Sequence, residues 1–144
     1  MDGLNILHGR KIESAEINAS KDLIRLKTRL GNGDSETVFV SAVGDCCSRS
    51  WFEHINFSEA LIGETVLGVE DFGSQSENDG KDDDRTIIYR RALKTSRGQC
   101  DIEMRNESNG YYSGWLNVAN RPLDQYDAEI SDEDIGQMSP LRDF

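Results

Sequence analysis

Polar and apolar side chains alternate over the first third of the chain. From residue 24 to residue 29 uncharged side chains alternate with basic ones, and after a Gly-Asn-Gly-Asp turn residues 36–43 resume the alternation with Val38 and Val40. A period of two residues is typical of a strand with one buried face. The pattern therefore predicts a three-stranded antiparallel meander over residues 11–43.

A short helix is predicted where this alternation ends. Ser50 and Glu53 have the three-residue spacing of a capping box, in which the two side chains satisfy backbone amides at the start of a helix. Trp51 and Ile55 lie four residues apart, so they would share one face of that helix. The sequence thus predicts a helix from Trp51 to Phe57 that packs across the sheet.

The second half of the chain predicts further strands and two polar segments. The strands are expected at residues 64–70, 85–95, 99–106 and 111–118. Residues 73–84 contain no apolar side chain and predict a flexible acidic loop. Residues 120–144 carry many more acids than bases and predict an acidic, flexible C-terminal tail, or a short docked helix after Ser131.

Together these elements predict an α+β fold. We expect a twisted antiparallel β-sheet of about six to seven short strands with one short helix packed on it, in a single domain over residues 9–119. The predicted core consists of Ile24, Leu26, Val38, Val40, Trp51, Ile55, Val66, Ile87, Ile102, Met104, Leu116 and Val118.

The charge of the chain decides which partners it attracts. Its 144 residues include 27 acidic and 16 basic ones, which give a net charge of −11 at pH 7. Direct binding to nucleic acid or to an anionic membrane depends on clustered Lys and Arg, so this charge disfavours both. A basic protein surface is attracted instead, and its rate of encounter is raised.

Cysteine usage and hydropathy predict the compartment. The chain has 3 cysteines, two of them adjacent, which suits a reducing environment better than a disulfide framework. No apolar run approaches the roughly 18 residues of a membrane-spanning helix, and the first residues lack the apolar stretch of a signal peptide. We therefore expect a cytoplasmic protein without a membrane segment.

Cys46, Cys47 and His54 are the weak candidates for a metal site. Adjacent cysteines point in different directions in an extended chain, whereas zinc ligands must converge on one ion. Cys47 with His54 as a base could also form a nucleophilic pair, but no third residue or oxyanion site accompanies them. The sequence favours structural packing, so we predict no metal, no cofactor and no catalytic residue, with an enzyme of unknown type as an alternative.

A second set of residues could form a pocket for a nucleotide-like ligand. Arginine would bind phosphate and tyrosine rings would stack on a base. The candidate ligand-binding residues are Arg49, Arg105, Asn106, Asn109, Tyr111 and Tyr112. The competing interpretation is that these arginines pair with acidic side chains on neighbouring strands.

Two sequence blocks are specific in combination. Asp-Cys-Cys-Ser occupies residues 45–48 and is followed by Trp51, Glu53 and His54, and Arg-Asn-Glu-Ser-Asn-Gly-Tyr-Tyr occupies residues 105–112. With these blocks the chain resembles a family of small proteins of bacteriophages, prophages and bacteria, which is a domain of unknown function.

This resemblance runs from about Gly9 to Val118 and implies a context, although it carries no established activity. Phage genomes are rich in small acidic proteins that act by binding a host protein, including anti-CRISPR proteins. The resemblance therefore implies a cytoplasmic protein that works inside a host cell.

Charge and context together predict a non-enzymatic binding protein. Its expected partner is a host or defence protein whose basic, nucleic-acid-binding surface it occupies, as an anti-CRISPR-like inhibitor would. The candidate partner-binding residues are Asp82, Asp83, Asp84, Asp132, Glu133 and Asp134. The alternative is a protein that sequesters a nucleotide-like signal molecule. The sequence is also compatible with a homo-oligomer.

Overall fold

The computed structural model of the protein describes residues 3–45, 47–78, 85–109 and 113–144. Its strands are β1 (Lys11–Asn18), β2 (Leu23–Arg29), β3 (Ser35–Gly44), β4 (Arg49–Asn56), β5 (Gly68–Asn78), β6 (Arg85–Thr95), β7 (Gly98–Ser108), β8 (Gly114–Ala119) and β9 (Met138–Pro140). Short 3-10 turns lie at Leu4–Leu7, Glu59–Leu61 and Asp132–Asp134. Within these described ranges no helix is long and apolar enough to cross a membrane.

The strands form two antiparallel sheets. In the first sheet the strand order is β8-β3-β2-β1-β9, and in the second it is β4-β7-β6-β5. Their apolar faces form one hydrophobic core, to which Leu26 and Val40 contribute from the first sheet and Phe52 and Met104 from the second. The architecture is therefore a two-layer β structure in which each sheet covers the apolar face of the other.

The predicted meander is confirmed. Strands β1, β2 and β3 pair in sequence order, and Leu26 lies opposite Ala15 on one side and Val38 on the other. The strands predicted at residues 85–95 and 99–106 are present as β6 and β7, and the one predicted at 111–118 is present in its described part as β8. Period-two alternation was sufficient here because each of these strands has one face toward the core.

The predicted core is largely correct. The side chains of Trp51, Ile87 and Val118 are only half-buried, whereas the other nine expected core residues are buried. The alternation did not reveal Leu4, Leu7 or Leu141, which come from outside the predicted domain of residues 9–119 and are at most 3% exposed.

The predicted α+β class is wrong, because the segment expected to form the helix is strand β4. It pairs antiparallel with β7 and buries Ser50, Phe52 and Ile55 on its inner face. A bulge between Phe52 and His54 shifts the register by one residue, which hides the period of two in the sequence. Aromatic and β-branched residues favour this pleated surface, and pairing with β7 outweighs a capping signal.

The two capping residues make other contacts in the strand. The Ser50 hydroxyl donates a hydrogen bond to the carbonyl oxygen of Val43, at 2.8 Å. The carboxylate of Glu53 accepts a hydrogen bond from the indole Nε1 of Trp51, at 2.6 Å. The capping-box spacing was thus coincidental.

The strand expected at residues 64–70 begins later and runs further. Strand β5 starts at Gly68 and continues to Asn78, so residues 73–78 belong to a strand although a loop was predicted for 73–84. Residues 79–84 lie outside the described residues. β5 is the edge strand of the second sheet, and a polar edge strand resists pairing with other chains.

The predicted flexible tail is also wrong, because residues 120–144 return to the body of the protein, and the alternative of a short helix after Ser131 corresponds to the 3-10 turn Asp132–Asp134. Strand β9 pairs with β1, and the side chain of Leu141 is 3% exposed in the core. Beyond it, the backbone amide of Phe144 donates to the carbonyl of Ile55 on β4, at 3.1 Å. The C-terminal segment thereby supplies backbone partners to the edge strands of both sheets.

Candidate functional site

Strand pairing brings the two sequence blocks together. Strands β4 and β7 are antiparallel neighbours, so Arg49 lies opposite Glu107 and Ser50 lies opposite Asn106. The turn before β4 also contacts the start of β8, because the Asp45 amide donates to the Ser113 carbonyl at 3.0 Å. The two blocks therefore form one end of the molecule, where the second sheet meets the first.

A buried polar cluster, which we call the polar node, lies beneath this end and consists of Gly44, Ser48, Ser50, Asn106 and Gly114. Asn106 is fully buried, and its Nδ2 donates to the Oγ atoms of Ser48 at 3.1 Å and Ser50 at 2.9 Å. Both hydroxyls donate onward to backbone carbonyls, so they accept from the amide nitrogen. This arrangement fixes the orientation of the Asn106 amide.

The two glycines of the polar node allow the sheets to approach closely. Gly44 and Gly114 are paired residues of β3 and β8 in the first sheet. A Cβ atom at Gly114 would lie 2.4 Å from the Oγ of Ser50, and one at Gly44 would lie 2.5 Å from the Oγ of Ser48. Any side chain here would collide with the second sheet, so glycine is required at both positions.

Gln125 braces the polar node from the C-terminal segment and was missed by sequence reasoning. Its Oε1 accepts from the Ser50 amide at 2.7 Å, and its Nε2 donates to the carbonyl oxygens of Ser50 and Ala42. No local pattern could have revealed this residue, because its partner Ser50 lies 75 positions away in the sequence. The contact depends on the docking of a segment that had been expected to be mobile.

A shallow surface cavity of about 480 Å³, which we call the rim cavity, adjoins the polar node. Its lining residues are Cys47, Ser48, Arg49, Glu107, Ser108 and Asn109. The guanidinium of Arg49 lies 5.3 Å from the centre of the Trp51 ring, in cation–π range. The rim cavity therefore offers one cation, one carboxylate and an amide to a ligand.

The ligand-binding residues predicted from sequence are brought together only in part. Arg49 and Asn109 line the rim cavity, and Asn106 lies buried in the polar node. Arg105 instead points along the outer face of the second sheet, where its Nε contacts Glu103 Oε2 at 3.0 Å. Tyr111 and Tyr112 lie outside the described residues.

One atom of the polar node lacks a partner. The Oδ1 of Asn106 is fully buried, and no described residue donates a hydrogen bond to it. A buried carbonyl oxygen without a donor costs free energy, so a water molecule or a ligand donor would be stabilised there.

Cys47 and His54 are the members of the cysteine and histidine set that the structure describes. Cys47 is exposed, with a left-handed backbone at φ 71°, and His54 is exposed further along β4. His54 stands five residues beyond Arg49, roughly 15 Å along an extended strand. Cys46 lies outside the described residues. Among the residues whose placement is described, no three His, Cys, Asp or Glu side chains group together to hold a metal ion.

The candidate partner-binding acids fall into two sets. Asp132, Glu133 and Asp134 are exposed in the 3-10 turn after Ser131, whose hydroxyl donates to Asp134 Oδ2 at 2.8 Å. The other set, Asp82, Asp83 and Asp84, lies outside the described residues.

Many basic side chains are held by carboxylates of the same chain. The ion pairs are Arg10–Glu36, Arg25–Glu16, Arg29–Glu13, Arg90–Glu103, Arg91–Asp71, Lys94–Glu70, Arg97–Glu64, Arg105–Glu103, Arg121–Glu129 and Arg142–Glu59. Several of them cross between adjacent strands, such as Arg25–Glu16 and Arg90–Glu103, whereas Arg105 pairs with Glu103 of its own strand. Cationic side chains of both sheets thus have carboxylate partners, several of them at the surface, and acids outnumber bases in the chain.

Cys100 is the buried thiol of the core. Burial, followed by the negative charges of Asp101 and Asp143, raises the pKa of Cys100 from 9.0 to about 12. A thiol in this environment stays protonated at neutral pH and is a poor nucleophile. Cys100 is therefore a packing residue.

We expect this thiol to make stability depend on alkaline pH. Because the pKa of Cys100 is higher in the folded state than the ordinary 9.0, its contribution is fully present below pH 9 and is lost as the pH rises toward about 12. Chemical denaturation over this pH range should show a steeper loss of unfolding free energy for the native protein than for Cys100→Ala. Parallel pH profiles for the two proteins would contradict the buried, protonated thiol.

The chain is similar to one described family and to a viral protein. A family model described as a domain of unknown function, DUF7448, matches residues 5–118. An uncharacterized protein of Acanthamoeba polyphaga mimivirus, L278, is 27% identical over 124 residues, which cover 82% of this chain and 94% of that protein. No solved structure matches the chain.

Proposed function

The chain belongs to the DUF7448 family of domains of unknown function, and from this premise we propose that it is a non-enzymatic binding protein whose acidic surface occupies a basic surface of a partner protein. The observation that carries the proposal is the internal pairing of its cations. Since arginines of both sheets are held by carboxylates, the net charge of −11 is presented to solvent chiefly by acids. Such a surface repels nucleic acid and attracts the proteins that bind it.

Asp132, Glu133 and Asp134 are the proposed contact acids within the described residues. They are exposed on a turn that is anchored on both sides, by the Ile130 amide bonded to the Pro122 carbonyl and by β9 paired with β1. An anchored acidic turn loses less conformational entropy on binding than a disordered tail would. This supports a specific contact rather than a solubilising role.

The proposed partner is a host or defence protein that binds nucleic acid. A viral relative supports a role at the boundary between virus and host, since the protein of Acanthamoeba polyphaga mimivirus spans most of this chain. An acidic protein that covers a nucleic-acid-binding surface would inhibit its partner by competition, in the manner of an anti-CRISPR protein.

Capture from a bacterial lysate tests this function. We expect the immobilised protein to retain basic, nucleic-acid-binding proteins and to release them when duplex DNA is added, because both compete for one surface. The triple variant Asp132→Asn, Glu133→Gln, Asp134→Asn should retain about tenfold less, since each rim charge contributes modestly to affinity.

The matched control removes three exposed carboxylates elsewhere, in the variant Asp34→Asn, Glu77→Gln, Asp127→Asn. It has the same net charge as the test variant and should retain clearly more partner. Equal retention by the two variants would exclude the 132–134 turn as the contact. Retained proteins that duplex DNA does not displace would contradict the proposed surface.

A second candidate function is supported by the rim cavity. Arg49 and Asn109 line it beside the polar node, so a small anionic ligand would suit this end of the molecule. A thermal-shift screen against nucleotides and cyclic nucleotides separates the two functions. Stabilisation that is lost in Arg49→Gln favours sequestration of a signal molecule, and no stabilisation across the panel excludes it.

A further inference from the structure

A groove of about 460 Å³ crosses the outer face of the second sheet. Asp101 and Glu103 of β7 face it, because their neighbours Cys100, Ile102 and Met104 point into the core. The rim cavity lies toward the other end of β4 and β7, at Arg49 and Glu107, and His54 of the first sequence block lines the groove.

Two phenylalanine residues line the groove from opposite edges of the sheet, and the half-buried side chain of Phe144 also packs against the hydrophobic core. Phe72, in a bulge of β5, is 56% exposed, which is a large apolar surface to leave in water. Phe144 lies beyond β4, where two backbone hydrogen bonds with Ile55 hold it. The Nζ of Lys21 lies 4.3 Å from the centre of the Phe144 ring, so this ring already accepts one cation within the chain.

The carboxylates of the groove include two that ion pairs do not neutralise. Asp101 and Asp143 are both exposed and line the groove, and neither forms an ion pair with a described residue. Their field reaches the neighbouring thiol, where both carboxylates contribute to the raised pKa of Cys100. The groove therefore has negative charge available for a ligand.

The two arginines of the groove are engaged by acids. Arg91 is 9% exposed, pairs with Asp71 at 2.9 Å and donates to the carbonyl oxygen of Gly73. The Nε of Arg90 contacts Glu103 Oε1 at 3.2 Å, and Glu103 also binds Arg105. Asp71 balances Arg91, but Glu103 is shared by Arg90 and Arg105, so Asp101 and Asp143 leave the groove with only a small net negative charge.

We propose that this groove receives an arginine side chain of the basic partner, between Phe72 and Phe144 and next to the carboxylates of Asp101 and Asp143. The inference rests on the proposed function, in that it names the chemistry of the partner's anchoring residue. A guanidinium is flat and weakly hydrated, so it stacks on an aromatic ring while its edge donates to a carboxylate. An uncharged side chain can stack on the rings but lacks the ionic attraction to the carboxylates, and an acidic side chain is repelled by them.

A capped Gly-Arg-Gly peptide tests the groove directly. We expect it to shift the backbone NMR resonances of Phe72, Asp101 and Phe144, and to bind about tenfold more tightly than the same peptide with citrulline, which keeps the shape and loses the charge. Asp101→Asn and Phe72→Ala should each weaken binding several-fold. Tyr126→Ala, which removes a side chain that is 70% exposed, is the control and should bind as the native protein does.

The outcomes separate this inference from the proposed function. Equal affinity for the arginine and citrulline peptides, or shifts confined to other surfaces, would overturn the groove site even if basic proteins are captured from the lysate. If the arginine peptide binds in the groove and no basic protein is captured, the proposed function is contradicted, whereas the inference that the groove binds arginine is supported. If a partner is captured, its retention should fall in Phe72→Ala, and unchanged retention would overturn the inference.

Discussion

Replacement of Phe52 by alanine is expected to lower the free energy of unfolding by about 3–5 kcal/mol, because it removes a fully buried aromatic ring from between the two sheets. Phe52 lies opposite Met104 in the β4–β7 pair and belongs to the single core cluster. The surrounding strands can close such a cavity only in part. Urea denaturation of the native protein and of Phe52→Ala measures the difference.

Trp51→Ala is the matched comparison, because the two aromatic residues are neighbours on opposite faces of β4. Trp51 is half-buried on the outer face, where it contacts Arg49 and Glu53, so its loss should cost only about 1–2 kcal/mol. In a helix over the same residues Trp51 and Ile55 would face the core together. A larger cost for Trp51→Ala than for Phe52→Ala would therefore contradict the strand.

Gly114→Ala is expected to destabilise the protein by about 1–3 kcal/mol, although alanine is normally a mild substitution. Its Cβ would lie 2.4 Å from Ser50 Oγ and 2.8 Å from the carbonyl oxygen of Val43, and neither atom belongs to a long flexible side chain. The paired strands must therefore move apart at the polar node. Thermal and urea unfolding measure this cost.

Gly68→Ala serves as the control, because a Cβ at Gly68 meets no atom within 4 Å. It should change stability by at most about 0.5 kcal/mol. Combining Gly114→Ala with Ser50→Ala removes one partner of the collision, so the double variant should lose less than the sum of the single losses. Strict additivity would show that the polar node does not couple the two sheets.

Much of the β structure could be predicted from the sequence because most strands bury one face. The meander of β1, β2 and β3 is visible as alternation, and its register follows from Leu26 facing Ala15 and Val38. β4 was missed for a specific physical reason: its bulge breaks the period of two, so that Phe52 and Ile55, which are three residues apart, both face the core. The spacing of apolar residues alone cannot distinguish a short helix from a strand that contains a bulge.

The ends of the chain could not be predicted because their structure is set by distant partners. β9 is three residues long and forms only because β1 offers an unpaired edge, while Leu141 fills the core. Because residues 120–144 are mostly polar and acidic, their few apolar residues did not indicate a strand or a contribution to the core. The polar strand β5 was hidden in the same way, since an edge strand with one partner needs few apolar side chains.

The residues of the candidate site are brought together only in part. Arg49 and Asn109 line one cavity, because β4 and β7 pair. The sequence did not show that Asn106 is buried or that Arg105 forms an ion pair with Glu103. It also did not show that Gln125 accepts a hydrogen bond from the backbone amide of Ser50. Each of these facts depends on the strand register and on the docking of the C-terminal segment.

The proposal of an acidic surface that binds a basic partner is tested most directly by the salt dependence of affinity. The measurement is the dissociation constant for the basic protein captured from lysate, at low and at physiological ionic strength. We expect affinity to fall about tenfold or more over this range, because exposed charges are screened by salt. An affinity that does not change with ionic strength would contradict the proposed electrostatic contact.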